Sequence, residues 1–247
     1  MSLKKMMIEE NRQEEKGLRL NKYLSDAGVC SRREADKLIA EGRVKINGKI
    51  AIMGQRVNKG DQVEYNGKKL VLQEKLIMIA LNKPEGIECT NDRSNPDNVM
   101  DFINYQQKVF YIGRLDKNSC GLLLLTNDGD LANRIAKSVN NHEKEYIVKV
   151  NKVITDEFIK KMSNGVEILD TVTKKCKVRK IDEYTFGIIL TQGLNRQIRR
   201  MCKALSYKVV KLKRIRIMNI MLGDLKEGTY RKVTDEELRE MMKAVIS

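Results

Sequence analysis

Apolar residues in this chain occur in short runs that polar turns separate. Two runs, residues 76–81 (LIMIAL) and Leu122–Leu125, have the length of strands and predict buried strands. No run reaches the roughly 20 residues that a bilayer span requires, and the N-terminus lacks the apolar stretch of a secretory signal. We therefore expect a packed globular fold without a membrane anchor, preceded by a flexible tail at residues 1–17.

Residues 18–65 have the pattern of two short helices followed by short strands. Ser31 and Glu34 have the spacing of a capping box, in which each side chain binds the backbone of the other, and this predicts the start of the second helix. Asn47-Gly48 predicts a tight turn between strands. The apolar residues of the two predicted helices are Leu20, Tyr23, Leu24, Ala35, Leu38 and Ile39.

A second compositional region covers residues 76–247, after a polar, lysine-rich stretch at residues 66–75 that we interpret as a linker. Helix and strand patterns mix in this region without regular βαβ alternation. This predicts an α+β fold with a largely antiparallel mixed sheet flanked by helices. Predicted helices begin at Asn95-Pro96, Asn127, Thr155, Arg196 and Thr234, and predicted strands include Glu145–Val150, Phe186–Thr191 and Lys208–Ile217.

The cysteines and the single histidine argue against a metal site. No two cysteines form a C-x-x-C pair, and His142 is the only histidine. We expect reduced thiols that pack as small apolar residues in a cytoplasmic protein, and we interpret His142 as structural or as an RNA contact. The five cysteines are Cys30, Cys89, Cys120, Cys176 and Cys202.

Positive charge is concentrated in one part of the chain. The net charge is +15, and residues 174–216 contain fourteen Lys or Arg but two Asp or Glu. Such a stripe attracts polyanions, of which nucleic acid is the commonest. A solvated basic face is an open alternative, whereas an anionic membrane surface is disfavoured because no basic amphipathic helix with bulky aromatic residues is visible.

A polar turn, residues 113–119, lies between apolar Tyr111-Ile112 and the Leu122–Leu125 run. It contains Asp116, whose carboxylate would be held between two predicted strands, a position suited to chemistry. A turn-forming aspartate or a surface ion pair with Arg114 would fit the same residues, so the pattern by itself leaves the role of Asp116 open.

The segment RLNKYLSDAGVCSRREADKLIAEGRVKINGK, residues 19–49, resembles the S4 RNA-binding domain. The shared features are the Arg-Leu opening, Ser-Arg before the second helix, the Gly-x-Val strand entry and the Asn-Gly turn. The resemblance implies a small RNA-binding domain over residues 18–65. Its cations can bind phosphates, which fixes position without reading sequence. The candidate RNA-binding residues are Arg19, Lys22, Arg32, Arg33, Lys37, Arg43 and Lys45.

Gly-Arg-Leu-Asp at residues 113–116, followed by Ser-x-Gly-Leu-Leu-Leu-Leu-Thr-Asn-Asp-Gly, resembles the catalytic motif of the RsuA/RluB/RluF pseudouridine synthases. Three further motifs match in family order, behind the S4-like segment. They are Asn82-Lys83-Pro84-x-Gly86, Lys144-Glu145-Tyr146 and residues 193–201 (GLNRQIRRM). HEKEY at residues 142–146 and TVTKKC at residues 171–176 look most like the RluF branch, which modifies 23S ribosomal RNA.

The resemblance implies an isomerase that converts uridine to pseudouridine in ribosomal RNA, with a 23S stem-loop favoured and transfer RNA as an open alternative. Asp116 would be the catalytic carboxylate, either as nucleophile at C1′ or as base on the sugar. Because substrate and product are isomers, no cofactor is implied. The expected partner is structured RNA, and we expect a cytoplasmic monomer without a metal or a membrane.

Further roles follow from the resemblance. Tyr146 would stack on the detached base, although a core tyrosine would fit the pattern too. Arg199 would pair with Asp116 and keep the carboxylate ionised, and Arg196 or Arg200 could take its place because periodicity cannot choose among the three. The resemblance also implies two substrate contacts, in addition to Arg196 and Arg200: Arg114, which would help to move the base out of the RNA stack, and Leu212, which would line the pocket.

Two other functions are compatible with parts of the sequence. A non-catalytic S4-domain protein in RNA binding or ribosome assembly would not need Asp116, Tyr146 and Arg199, and all three are present. A methyltransferase behind an S4-like domain would need a glycine-rich turn after a strand, and we find none.

Overall fold

The computed structural model describes residues 17–72, 76–137 and 141–246. The chain divides into two compact units, and the division falls between Leu76 and Ile77. The predicted tail lies almost entirely outside the described residues. Each unit has its own apolar core, so each is described by itself.

The N-terminal unit begins with the two predicted helices, α1 (Leu20–Asp26) and α2 (Arg32–Ala40). The Ser31 hydroxyl accepts a hydrogen bond from the Glu34 backbone N–H at 3.2 Å, which confirms the predicted cap of α2. The apolar helix residues are buried as predicted, and they pack against Val44, Ile46, Val57 and Val63.

The strands of this unit are β1 (Leu18–Arg19), β2 (Val44–Ile46), β3 (Lys49–Ile50), β4 (Arg56–Val57), β5 (Val63–Tyr65) and β6 (Lys68–Lys69). One antiparallel sheet has the order β3-β2-β5-β6, and β1 pairs separately with β4. Asn47 and Gly48 connect β2 to β3 with φ angles of 51° and 76°, which confirms the predicted turn.

The predicted linker begins later than residue 66. Asn66 and Gly67 form a second tight turn with positive φ, and β6 pairs antiparallel with β5 at residues 68 and 69. Both lysines of β6 are exposed. An edge strand made of exposed lysines has the composition of a linker. For this reason the sequence pattern predicted a linker at residues that form β6.

The second unit is built around one sheet. Its strands are β7 (Met78–Lys83), β8 (Phe110–Ile112), β9 (Cys120–Thr126), β10 (Lys144–Val150), β13 (Lys177–Lys180), β14 (Thr185–Leu190), β15 (Val209–Ile217), β16 (Ile220–Met221) and β17 (Tyr230–Lys232). The order is β13-β14-β10-β15-β9-β7-β17, with β16 beside β15 and β8 beside β9. Every pair is antiparallel except β9 with β15, so the predicted mixed sheet is confirmed. A separate hairpin joins β11 (Glu167–Ile168) to β12 (Thr171–Val172).

Helices flank this sheet at α3 (Val99–Ile103), α4 (Gly129–Ala136), α5 (Asp156–Asn164), α6 (Gln197–Ala204) and α7 (Asp235–Ile246). Thr155 caps α5 as predicted, and Thr234 exchanges hydrogen bonds with Glu237 at the start of α7. Two predicted starts were wrong by one to three residues. Asn98 rather than Asn95 caps α3, and Asp128 rather than Asn127 caps α4.

The parallel contact between β9 and β15 depends on a glycine. Gly121 has a φ of +101°, and a Cβ there would lie 2.8 Å from the Arg214 backbone nitrogen. The two strands can approach this closely only because residue 121 has no side chain. This contact joins the strand that follows the Asp116 turn to the strand that contains Leu212 and Arg214.

Three further findings concern the described residues only. None of their helices is both long and apolar enough to cross a bilayer. They contain no group of three or more His, Cys, Asp or Glu side chains that could hold a metal ion. The five cysteines are free thiols, and all but the half-buried Cys176 are buried.

Candidate active site

An open cavity of about 180 Å³ lies in the second unit, beside the polar turn that connects β8 to β9. Elements distant in sequence meet there: the turn itself, β10, the start of α6 and β15. Most of the predicted site residues line this cavity. Those that do so are Arg114, Asp116, Tyr146, Arg196, Arg199 and Leu212.

The backbone of the Asp116 turn is held by hydrogen bonds. The Ser119 N–H donates to the Asp116 carbonyl at 3.0 Å, and the Gly86 N–H donates to the Lys117 carbonyl at 2.9 Å. The Lys117 ammonium also binds Asp97 at 2.7 Å. The Asn82–Gly86 motif therefore supports the turn that presents Asp116.

Two arginines face the Asp116 carboxylate. Its Oδ2 atom lies 3.8 Å from Arg196 Nη1 and 3.9 Å from Arg199 Nε. The Asp116 side chain is 30% exposed and that of Arg199 15%, so this is a half-buried ion pair that an incoming substrate can still reach.

Arg199 also fixes the turn. Its Nη2 donates to the Asn118 carbonyl and to the Ser119 hydroxyl, the latter at 3.2 Å. Its Nε is buried without a hydrogen-bond partner among the described residues. Burial, and then the charge of Arg196, lower the pKa of Arg199 from its usual value, whereas Asp116 raises it.

Helix α6 determines which arginine reaches the aspartate. Its buried side chains are Gln197, Ile198, Met201 and Cys202, and Arg199 projects from the other side of the first turn. Arg196 precedes the helix in a left-handed conformation. Arg200 instead donates to the carbonyl and side-chain oxygens of Asn195 at 3.0 and 3.2 Å and does not line the cavity. Arg200 is thus set apart from the Asp116 pair, which argues against the alternative that it takes the place of Arg199. Its predicted contact with the substrate stays a prediction.

Tyr146 lies on β10, opposite Ile188 of β14 and Arg214 of β15. It is half-buried, while Val148 and Val150 further along the strand are buried. Its ring therefore forms part of the cavity wall. Leu212 is buried at the wall formed by β15, and His142 is buried with its Nε2 unpartnered among the described residues.

Two cavity cations were missed by the sequence analysis. Lys144 is two residues before Tyr146 on β10, and Arg214 is two residues after Leu212 on β15. Because side chains two apart share a face of a strand, the predicted residues could have led to both. The basic composition of KLKRIR at residues 211–216 instead suggested solvent exposure.

The predicted RNA-binding cations of the N-terminal unit lie at its surface. Lys22 is half-buried in an ion pair with Asp26 at 2.7 Å. Arg43 packs over the Tyr65 ring and donates to its hydroxyl at 2.8 Å, so part of its charge serves the unit itself. The exposed members of the set are Arg19, Arg32, Arg33, Lys37, Arg43 and Lys45.

Comparison with known proteins matches both units. A family model described as RNA pseudouridylate synthase covers residues 77–204, and the S4 domain model covers residues 18–63. The chain is 54% identical to "Dual-specificity RNA pseudouridine synthase RluF" of Escherichia coli K12 over 92% of this chain and 79% of the relative. It is 39% identical to "Ribosomal large subunit pseudouridine synthase B" of Bacillus subtilis 168 over 90% and 95%.

A solved structure described as pseudouridylate synthase superimposes with a TM-score of 0.66 at 31% identity. The match covers 91% of this chain and all of the other. The domain order and the fold are thus those of a known class of RNA-modifying isomerase. The chain is an RNA pseudouridine synthase of the RsuA/RluB/RluF family, with an S4 domain before the synthase domain.

Proposed function

We propose that this enzyme isomerises a uridine in a stem-loop of large-subunit ribosomal RNA, with Asp116 as its catalytic carboxylate. The observation that supports this most is the meeting of Asp116, Arg199 and Tyr146 at one open cavity. The B. subtilis relative carries the large subunit in its name, and that supports the RNA class.

The proposed mechanism begins with the target base leaving the RNA stack. Arg114 borders the cavity and assists by occupying the space that the base leaves. The Asp116 carboxylate then acts on the ribose, as nucleophile at C1′ or as base on the sugar, while N1–C1′ breaks. Tyr146 and Leu212 hold the detached uracil between them, and the ring turns until C5 can bond to C1′.

The surrounding cations have separate tasks in this proposal. Arg199 orients the carboxylate and, through Asn118 and Ser119, the turn that carries it. Arg196 is the more exposed of the two arginines and is suited to a backbone phosphate of the target. The S4 cations bind further phosphates of the stem. We also propose a cytoplasmic monomer, since nothing in this chemistry requires a second copy.

The test uses unmodified transcripts of 16S, 23S and transfer RNA from the source organism, with pseudouridines mapped before and after incubation. We expect conversion in the 23S transcript. Conversion confined to 16S or transfer RNA would overturn the large-subunit assignment, and no conversion in any transcript would overturn the substrate class.

The catalytic assignment is tested by Asp116→Asn. We expect conversion to be abolished while RNA affinity stays within a few fold of the wild type, because the side chain keeps its size and most RNA contacts lie elsewhere. Asp224→Asn is the matched control, since Asp224 is exposed and outside the cavity. Near-normal turnover by Asp116→Asn would disprove the role of the carboxylate.

A further inference from the structure

Besides Arg199, which pairs with Asp116, three cations are buried or half-buried in the region of the Asp116 cavity: Lys83, Lys144 and Arg214. Arg214 is 2% exposed and Lys83 is fully buried, and Lys144 and Arg214 line the cavity. Burying a charge costs free energy unless hydrogen bonds or a counter-charge compensate for it. The partners of each cation therefore indicate what it is for.

Lys83 has partners within the protein. Its ammonium donates to the Pro84 and Ile87 carbonyls, at 2.7 Å each. These bonds close the turn after β7, whose Gly86 N–H in turn binds the Lys117 carbonyl next to Asp116. Lys83 is thus accounted for by the shape of this turn.

Only some of the hydrogen-bond donors of Arg214 have a partner among the described residues. Its Nε donates to the Leu122 carbonyl at 2.7 Å, whereas its Nη2 is buried and has no hydrogen-bond partner in the described part of the chain. The backbone of Arg214 is fixed against Gly121, so the side chain has little freedom to find a partner elsewhere. An unpaired buried donor of this kind destabilises the folded protein.

Among the residues that the structure describes, the Lys144 ammonium makes no hydrogen bond or ion pair. Burial first, and then the charge of Arg214, lower its pKa to about 8. The two cations therefore repel each other, and both line the same cavity.

The cavity lining does not supply the missing negative charge. Asp116 is the one carboxylate among the described lining residues, and its Oδ2 faces Arg196 and Arg199 instead. The apolar lining includes Leu190, Leu212 and Tyr146. A flat ring with delocalised negative charge suits such walls better than a strongly hydrated phosphate does.

The reaction itself generates such a ring. When the N1–C1′ bond breaks, its electron pair stays on the base, and the negative charge spreads over N1 and the two carbonyl oxygens. The ring turns, C5 forms the bond to C1′, the proton on C5 is lost and N1 gains a proton. Atoms and charge therefore balance. The anionic uracil exists only after the N1–C1′ bond has broken and before the C5–C1′ bond has formed.

We propose that Lys144 and Arg214 bind the carbonyl oxygens of the detached uracil and stabilise its negative charge. Both would then be catalytic residues that act on the base, whereas Asp116 acts on the sugar. Preorganised donors that meet charge only as it develops accelerate a reaction without strengthening ground-state binding. This inference rests on the proposed function, since it requires the uridine to be cleaved in this cavity.

The first test is the single-turnover rate of Lys144→Gln at saturating RNA, on the transcript that the wild type converts. Loss of one such donor should lower the rate by about 100-fold and leave RNA affinity unchanged. Lys144→Arg should recover part of the rate because it restores the charge. Lys149→Gln is the matched control, since Lys149 is exposed on the same strand and should retain the wild-type rate.

A second measurement separates chemistry from structure. In the same RNA with 5-fluorouridine at the target, fluorine makes the departing base more acidic, so its anion needs less stabilisation. The loss of cleavage rate in Lys144→Gln should then be smaller than with uridine. Equal losses with both bases would indicate a merely structural lysine, and weaker binding with an unchanged rate would indicate a phosphate contact. Either result overturns the proposal.

Arg214 is tested by Arg214→Lys and Arg214→Gln, with thermal unfolding as a check on folding. The shorter lysine keeps the charge but loses the Nη2 donor, so Arg214→Lys should show the same selective loss with uridine. If Arg214→Gln does not fold, the Lys144 variants decide the question. An inactive wild type on all transcripts would remove the basis of both proposals, whereas an active wild type with fully active Lys144 variants would overturn this one alone.

Discussion

The cations of the N-terminal unit and those around the cavity of the second unit are the same residue types in opposite environments. Arg33, Lys37 and Lys45 are exposed, whereas Arg214 is buried, and Lys144 and Arg199 are largely shielded from water. Exposed cations bind phosphates by exchanging counterions, so their effect depends on salt. Shielded cations act over short distances on one group.

This difference explains how cations of one chain can serve both RNA binding and the reaction. Positioning on RNA needs many weak contacts that tolerate different sequences. Chemistry on one nucleotide needs a few groups whose charges water does not screen. We therefore expect the loss of a positive charge to weaken RNA binding when it occurs in the S4 unit and to slow the reaction when it occurs in the cavity. Substitutions in either place test this difference.

Among the cations of the two units, the largest effect of a single substitution should come from Arg199→Met. This substitution removes the charge that faces Asp116 and the hydrogen bonds to Asn118 and Ser119, so we expect the single-turnover rate to fall by about 100-fold or more. Arg200→Met on the same helix should lose far less, because Arg200 binds Asn195 outside the cavity. If the two variants lost the same fraction of the single-turnover rate, cations in the cavity would not differ in function from cations at the surface.

Most residues of the candidate site could be predicted from the sequence because they belong to family motifs. Asp116, Tyr146 and Arg199 come from separate motifs, and the fold brings all three to one cavity. Local capping patterns were equally informative, as Ser31 and Thr155 demonstrate. In each case a short stretch of residues specifies its own geometry.

Burial of charge was harder to predict, since it depends on elements distant in sequence. Arg214 is buried because β9 packs against β15 at Gly121, and no local pattern contains that contact. Lys68 and Lys69 show the opposite error, since their strand pairs with β5 although its composition is that of a linker. Phe102 shares the apolar helical spacing of Val99 and Ile103 in α3 and is nevertheless 37% exposed.

A smaller effect, confined to binding, is expected on the S4 side. Arg33→Gln with Lys37→Gln removes two exposed cations from one face of α2. The slope of log affinity against log salt concentration should become shallower by about 1.5, and the rate at saturating RNA should stay unchanged. Binding titrations at several salt concentrations measure this, with Lys59→Gln and Lys68→Gln as the matched control. An unchanged slope would show that α2 does not contact RNA.

The smallest expected effect is a change in the free energy of unfolding when Lys144 is replaced. It is the most direct test of whether this shielded cation serves the reaction or the fold. The folded protein lowers the pKa of Lys144 to about 8 from a usual 10.5, so the unfolded chain binds more protons between these values and stability rises with pH there. Below pH 8 the folded state bears the full cost of the charge.

Lys144→Met should therefore raise the free energy of unfolding at pH 7 by about 1–2 kcal/mol, after allowance for the partial exposure of the lysine, and the gain should shrink as pH rises towards 10.5. Arg214 and His142, the charged and titratable neighbours, are common to both proteins, so the difference isolates Lys144. Urea unfolding at pH 7 and pH 10 measures it, and Lys149→Met should show no such gain. If Lys144 lowers stability at neutral pH and turnover nevertheless requires it, the lysine serves the reaction. A Lys144→Met variant that is less stable than the wild type at pH 7 would instead show that the lysine supports the fold.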